Sequence, residues 1–377
     1  MVRFEINKEW LEVLAIESVA LLRGGKMKAA VLEEPGKLAI REVPDPICPS
    51  GGVVVRVLAA QVCSTDLHMW QRGHPALRCP RILGHEIGGV VAEVAQEVEG
   101  VKIGDKVQVY PGISCGTCRF CRQGRENLCP SIRILGFSMD GGFSQYLSLP
   151  KKAIQNGCLN LVPQPLSAAE TAMAEPLACC LNGFDKGELR QGDTVLILGG
   201  GPLGCLFAMV AKHQGSGKVI LLEKDSARIR QARQELEVDV FDPTEVEAVM
   251  ERTRGQGADV VVTCFREAAL EYPLLDLAAP GGRVLMFSGI SADKGVVPTD
   301  LRAVHYRELE LIGAYGCTSI QCQRALGLMA DGLDVNWLIS ERVTLHGLEQ
   351  SFSNLAAKNV MKICVEPWED NDGLVWQ

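Results

Sequence analysis

The spacing of hydrophobic positions changes character twice along this chain. From Met27 to about Ser167, apolar residues come in short runs broken by Gly and Pro turns: Lys28 to Leu32, Leu38 to Val43, Val53 to Ala60, Gly89 to Val94, Lys106 to Tyr110 and Phe143 to Leu147. Runs of this length and spacing predict a compact β barrel or sandwich with irregular loops. After Ser167 the runs Val195 to Leu198, Val219 to Leu222, Val260 to Thr263 and Val284 to Phe287 lack polar alternation, and helical stretches separate them. That pattern predicts buried parallel strands in a doubly wound α/β domain. From about Ser319 the chain reads as helix, short strand, helix and a last strand at Val360 to Val365, a tail expected to rejoin the first domain. The expected divisions are an extension over 1–26, a first domain over 27–178, an α/β domain over 179–318 and a return over 319–377.

The segment Trp10 to Leu22 is apolar but broken by Glu12 and Glu17, and no basic stretch precedes it, which argues against a signal peptide. Met27 reads as an alternative initiation site, with the residues before it an appendage. The longest apolar stretch, Thr194 to Ala211, is interrupted by Gly199, Gly200, Gly201, Pro202 and Gly204, so it predicts strand, turn and helix rather than a membrane span. A net charge of -8 would repel a phosphate backbone, and no Lys/Arg run offsets it, so nucleic acid is not an expected partner. Fifteen cysteines, odd in number and clustered, suit metal thiolates in a reducing cytoplasm better than a disulfide framework.

The cluster is Cys115, Cys118, Cys121 and Cys129, spaced Cys-x2-Cys-x2-Cys-x7-Cys. Four thiolates so close can wrap one tetrahedral zinc and fold a lobe, at about 111–131, too short to have its own core. An iron–sulfur cluster is the rival, echoed by Pro130, but the last spacing is too long and no second cluster motif exists. A second metal is suggested by Gly84-His85-Glu86, with Cys63 upstream and Glu175 downstream: thiolate, imidazole and carboxylate could share a zinc and leave a position open. Alone, His85 could be a satisfied core histidine and Glu86 a solvated charge. Thr65, two residues after Cys63, could touch an alcohol there, although Thr65 and Asp66 could equally cap a short helix. Glu175, before Pro176, could likewise be a helix N-terminal charge.

The strand Val195 to Leu198 runs into Gly199-Gly200-Gly201-Pro202-Leu203-Gly204, a Gly-x-Gly-x-x-Gly turn opening a helix. Gly199 permits the turn, Gly201 the approach of a pyrophosphate, and Gly204 the packing of helix on strand. Glu223 closes the next strand at the offset of about 20 residues where an acid binds the adenosine ribose. It favours NAD over NADP, with Lys224 and Arg228 nearby weakening that preference.

Taken together, Cys63 with Gly84-His85-Glu86, the four-cysteine lobe, and Gly199 to Gly204 with Glu223 resemble the zinc-dependent medium-chain dehydrogenases over residues 27 to 366. Cys-x-Thr-Asp-x-His and Ala-Glu-Pro-Leu are similar to the polyol and threonine dehydrogenase branch. The resemblance implies a GroES-like catalytic domain interrupted by a Rossmann domain, two zinc ions per chain, NAD, and a cytoplasmic dimer or tetramer. It further implies that Cys63 and His85 ligate the catalytic zinc, with Glu86 and Glu175 as direct or water-mediated ligands. Thr65 would accept the alcohol proton, with His68 a further exit. Ser64 stands where many relatives carry glycine, which bears on local loop geometry. The implied reaction is hydride transfer from a polyol, cyclitol or sugar-derived secondary alcohol to NAD. Alternatives are threonine, a phosphorylated polyol contacted by Arg72, Arg78 and Arg81, or a non-catalytic redox sensor. His74, His213, His305 and His346 have no such company, though His74 and His305 could reach the site.

Overall fold

The computed structural model describes residues 25–290, 295–358 and 360–369, so all of the expected extension except Gly25 and Lys26 lies outside the described residues. The chain forms two compact units. One runs to Glu175 and takes in Thr318–Ala330 and the residues from Leu338 onward, and the other is Pro176–Cys317 with Asp331–Trp337.

The first unit contains β1 (Lys26–Glu34), β2 (Lys37–Pro44), β3 (Val53–Gln61), β4 (Arg81–Ile82), β5 (Glu86–Val94), β6 (Lys106–Val109), β7 (Gly112–Ile113), β8 (Arg133–Ile134), β9 (Tyr146–Leu149) and β10 (Leu159–Leu161). In the second unit lie β11 (Thr194–Leu198), β12 (Lys218–Leu222), β13 (Asp239–Phe241), β14 (Ala258–Thr263), β15 (Ala278–Met286) and β16 (Glu310–Gly313), after which β17 (Ile339–Val343) and β18 (Lys362–Val365) complete the first.

A seven-stranded sheet in the order β10-β6-β5-β3-β18-β17, with β9 also on β3, is the frame of the first unit. The tail joins this sheet by a strand pairing: Cys364 of β18 lies opposite Gln61 of β3. Gln61 also faces Glu86 across the β3–β5 pair. Three neighbouring strands thus bring Gln61, Glu86 and the start of β18 to one end of the sheet. Ala59, Ala168, Ala169, Ala172 and Cys364 pack beneath it, and small residues there let the helix Ala168–Ala172 approach closely.

The second unit is a six-stranded parallel sheet, β13-β12-β11-β14-β15-β16. Its central strands are buried on both faces, as runs without alternation require, and Leu196, Leu198, Ile220, Leu222, Val261 and Val284 form the core. The order, with β11 between β12 and β14, is that of a doubly wound sheet with its crossover beside β11.

Two departures have physical causes. The strand expected at Phe143 to Leu147 begins at Tyr146, because Phe143 and Gln145 exchange backbone hydrogen bonds in two directions: Ala30 and Val57 donate to their carbonyls, and their own amides donate to Leu83 and Lys28. The edge strands β13 and β16 escape the hydrophobic pattern because they are three and four residues long and open on Asp239 and Glu310.

Candidate functional site

Cys63 lies two residues past the end of β3, and Glu86 opens β5, so the pairing of Gln61 with Glu86 carries both to the same edge. The ligand atoms of Cys63, His85 and Glu86 lie within 4.8 Å of one another. His85 is 6% exposed and Glu86 only 1%, so Glu86 is no solvated surface charge. A thiol, an imidazole and a carboxylate converging in a buried space form a donor set that suits zinc.

Asp66, which the sequence presented only as a helix cap, holds this set together. Its carboxylate is fully buried; Oδ2 accepts from the Cys63 amide at 3.0 Å, and Oδ1 accepts from the Gly84 amide at 3.2 Å. Asp66 Oδ1 also lies 3.4 Å from His85 Nδ1. Facing one ring nitrogen to a carboxylate fixes the ring and leaves Nε2 as the nitrogen that could serve a metal. Burial pulls the His85 pKa down, but Asp66 and Cys63 outweigh it and raise it well above the ordinary value. Metal binding here must displace a proton, so acid weakens it.

Sequence reading also passed over Lys362. It is 5% exposed, and its ammonium donates to Glu86 Oε2 in a very short contact and to the Val62 carbonyl at 3.2 Å. Burial would lower its pKa, but Glu86, Cys63 and Glu175 overcome that, and the net direction is upward. Breaking a buried pair of this kind by removing one partner costs about 3–5 kcal/mol. The available signal was a single lysine inside the apolar run Val360 to Val365; nothing in the sequence linked it to Glu86, 276 positions away.

The helix Ser64–Arg72 is capped by Cys63, whose sulfur accepts from the Thr65 amide at 3.4 Å while Asp66 completes the box. Thr65 is therefore not the cap; it is half-buried, and its amide donates to the thiol that carries the cap. Ser64 is the first helical residue, a position with no need of glycine. His68 is half-buried one turn on from Ser64. Glu175 lies in the first turn of the helix Ala174–Lys186, outside the 4.8 Å grouping of Cys63, His85 and Glu86, and acts on Lys362 through its charge. Of the arginines considered for phosphate, Arg81 pairs with Asp140 at 2.7 Å and Arg78 donates to the Pro75 and Leu77 carbonyls.

The four cysteines meet as their spacing requires. Cys115 and Cys121 sulfurs are 3.9 Å apart and Cys118 and Cys121 sulfurs 3.5 Å. A tetrahedron with Zn–S bonds of about 2.3 Å has edges of about 3.8 Å, so the sulfurs already outline one. Backbone amides of Thr117 and Cys118 donate to Cys115 and lower its thiol pKa to about 5, which makes the thiolate available at neutral pH.

In the second unit, Gly199 takes φ of +107°, and a Cβ on Gly204 would sit 1.8 Å from the Gly199 carbonyl oxygen. No side chain caps the helix Pro202–His213, leaving its positive end to an anion. Pro202 and Leu203 form its first turn, and Arg228 Nη1 would be 3.8 Å from a Cβ on Gly201. Glu223 is 7% exposed; Oε2 accepts from the Gly200 amide at 2.8 Å, and Oε1 from Lys224 at 2.7 Å and Asp225 at 2.9 Å. Three amides fix the carboxylate beside the glycine turn as an acceptor for hydroxyls.

Among the described residues no helix is long and apolar enough to cross a membrane. Residues 49–158 match the alcohol dehydrogenase GroES-like domain and residues 202–331 the zinc-binding dehydrogenase domain. Sorbitol dehydrogenase of Bacillus subtilis (strain 168) is 29% identical over 90% of this chain and 97% of its own length. L-threonine 3-dehydrogenase of Streptomyces coelicolor is 31% identical over 90% of this chain and 99% of its own. A protein of Sinorhizobium meliloti 1021, solved bound to NADP, superposes with a TM-score of 0.83 at 33% identity, covering 91% of this chain and 99% of that one. With such likeness along nearly its whole length, the chain belongs to the zinc-dependent medium-chain dehydrogenases, in the branch that holds the polyol and threonine dehydrogenases.

Proposed function

We propose that this protein oxidises a secondary alcohol of a polyol, cyclitol or sugar derivative with NAD at the Cys63–His85 site. The observation that carries the reading is the convergence of Cys63, His85 and Glu86 in a buried space held by Asp66. Cys63 and His85 are the metal's fixed ligands, and Glu86 and Glu175 are direct or water-mediated ones. Zinc there supplies Lewis acidity toward an alcohol hydroxyl, and NAD is the hydride acceptor. Thr65 takes the substrate hydroxyl proton, and His68 offers it a further exit. Gly199 to Gly204 and the helix they open hold the pyrophosphate, and Glu223 accepts from the adenosine ribose hydroxyls. Cys115, Cys118, Cys121 and Cys129 hold the second zinc.

Two outcomes follow for residues at these sites. In Asp66→Ala the His85 ring loses its orienting partner, so affinity for the first zinc falls by ~10–100-fold while the four-cysteine zinc is retained. Competition with a chromophoric chelator measures both. In Glu223→Ser the repulsion of a ribose phosphate disappears, so the NAD-over-NADP ratio of kcat/KM collapses. Steady-state kinetics with each dinucleotide reads that ratio.

The substrate class is tested by NAD reduction against polyols, inositols, sugar phosphates, threonine and simple alcohols, each with and without zinc chelation. Turnover of a polyol that chelation removes supports the reading; turnover of threonine alone moves the protein to its second reading, which the Streptomyces relative favours. Binding of both zinc and NAD with no turnover leaves the redox-sensor alternative.

We further propose a homodimer through β16. This strand is an edge of the six-stranded sheet, and around it Leu311 is 48% exposed, Tyr306 74% and Tyr315 66%. An unpaired apolar edge is a template for a second copy. Light scattering on the eluting protein, repeated for Leu311→Lys, tests it: a mass of two chains that falls to one supports the edge pairing.

A further inference from the structure

Two cysteines that neither proposed zinc site uses meet in the second unit: the Cys179 and Cys317 sulfurs lie within 4.8 Å of each other. Cys179 stands on the helix Ala174–Lys186, and Cys317 follows the end of β16 by four residues. Their meeting is built by Asn182, a buried side chain three residues after Cys179 and so on the same helix face. Its amide donates to the Tyr315 carbonyl at 3.4 Å and the Gly316 carbonyl at 2.9 Å, which pins the residues just before Cys317 to that face. The two thiols differ in access. Cys317 is 3% exposed, whereas Cys179 is half-buried and within reach of a small oxidant. Core thiols elsewhere behave otherwise: burial pushes Cys158, Cys205 and Cys364 up to about 12, so they stay protonated and inert.

We propose that Cys179 and Cys317 are a peroxide-sensitive dithiol whose disulfide switches off turnover. Hydrogen peroxide transfers one oxygen atom to the Cys179 sulfur, giving a sulfenic acid and water. The Cys317 thiol then attacks that sulfur. The S–S bond forms as the S–O bond breaks, and the hydroxyl leaves with the Cys317 proton as a second water. Each sulfur gives up one electron, and the peroxide takes both. Sulfurs within 4.8 Å reach the ~2.05 Å of a disulfide bond mainly by side-chain rotation. A small dithiol reverses the step by exchange.

The helix carries the change onward. Glu175 lies one turn before Cys179 on the same helix, and the Cys180 sulfur donates to the Leu203 carbonyl in the first turn of the helix Pro202–His213. Drawing Cys179 onto Cys317 therefore moves a turn that bears the proposed zinc ligand Glu175 and touches the helix opened by the glycine turn. The effect on turnover rests on the zinc and NAD reading given above; formation of the disulfide does not.

The experiment treats the zinc-loaded full chain with stoichiometric hydrogen peroxide, blocks the remaining thiols with iodoacetamide and maps peptides without reduction, while zinc content and turnover are followed. A Cys179–Cys317 cross-link is expected, lighter by two hydrogen atoms than the paired thiol peptides, with both zinc ions retained. Turnover should fall by ~100-fold, the scale of a small displacement near reacting groups, and return with dithiothreitol. Cys179→Ser and Cys317→Ala should keep basal turnover and lose the response. Mapping of the wild-type protein needs no variant, so it decides even where a variant fails to fold. No cross-link, or cross-linked protein with full turnover, would overturn the proposal, as would inactivation that persists in both variants and releases zinc. A cross-link in protein that turns over nothing even when reduced would instead contradict the function proposed above.

Discussion

A His85→Ala enzyme is expected to lose about three orders of magnitude in kcat while keeping its fold and one of two zinc ions. On the proposed reading His85 would supply the donor nitrogen beside Asp66, and without it the remaining set is Cys63 and carboxylates. A Lewis acid is worth several kcal/mol to an alcohol's deprotonation, and each ~1.4 kcal/mol is a factor of ten in rate, which sets the scale of the loss. NAD binding should survive, because Gly199 to Gly204 and Glu223 belong to the other unit. Zinc analysis of the purified variant, kinetics, and dinucleotide binding by fluorescence check the three parts. A variant that retains both zinc ions and wild-type turnover would remove His85 from the site.

The largest structural effect should come from Cys118→Ser. Within the lobe the helix Arg119–Arg122 and the short turn Glu126–Leu128 bury no residue, so these two elements offer no apolar core in place of the metal. Structural zinc contributes about 10–16 kcal/mol in small domains that fold around it, and no local packing here could offset its loss. Glu126 also accepts from the Ser319 amide at 3.0 Å, at the start of the helix Ser319–Ala330, so a collapsed lobe should loosen that helix as well. Limited proteolysis is expected to cut between β7 and β8 within minutes in the variant, with zinc content down by one ion and NAD binding unchanged. A protease-resistant lobe carrying its metal would contradict the assignment.

The elements that were legible in the sequence are those whose chemistry is local. Cys115 to Cys129 and Gly199 to Gly204 are local groupings, because four thiols on one lobe, or a turn before a helix, need no distant partner. The central strands β11, β12 and β14 were legible because burial on both faces leaves an apolar run, whereas only the last part of β15 was, because Pro280, Gly281, Gly282 and Arg283 break its run. Lys362 and Asp66 were not. Lys362 acquires its role only when β18 docks beside β3, and a register set across the whole first unit leaves no mark around residue 362. Asp66 serves two purposes, helix cap and histidine anchor, and the first is enough to account for an aspartate at that position. The misplaced start of β9 has the same origin: Phe143 has strand composition, but its hydrogen bonds go to Leu83 and Ala30 instead of continuing a ladder.

The central claim is that a hydride leaves a carbinol carbon and arrives on NAD at the site built by Cys63 and His85. Its most direct test is to supply the polyol that the protein turns over, deuterated at its carbinol carbons, and to weigh the reduced dinucleotide by mass spectrometry. The account predicts one deuterium per reduced dinucleotide, formed by wild-type protein and not by His85→Ala. Reduced dinucleotide that carries no deuterium, or equal labelling by the variant, would contradict it.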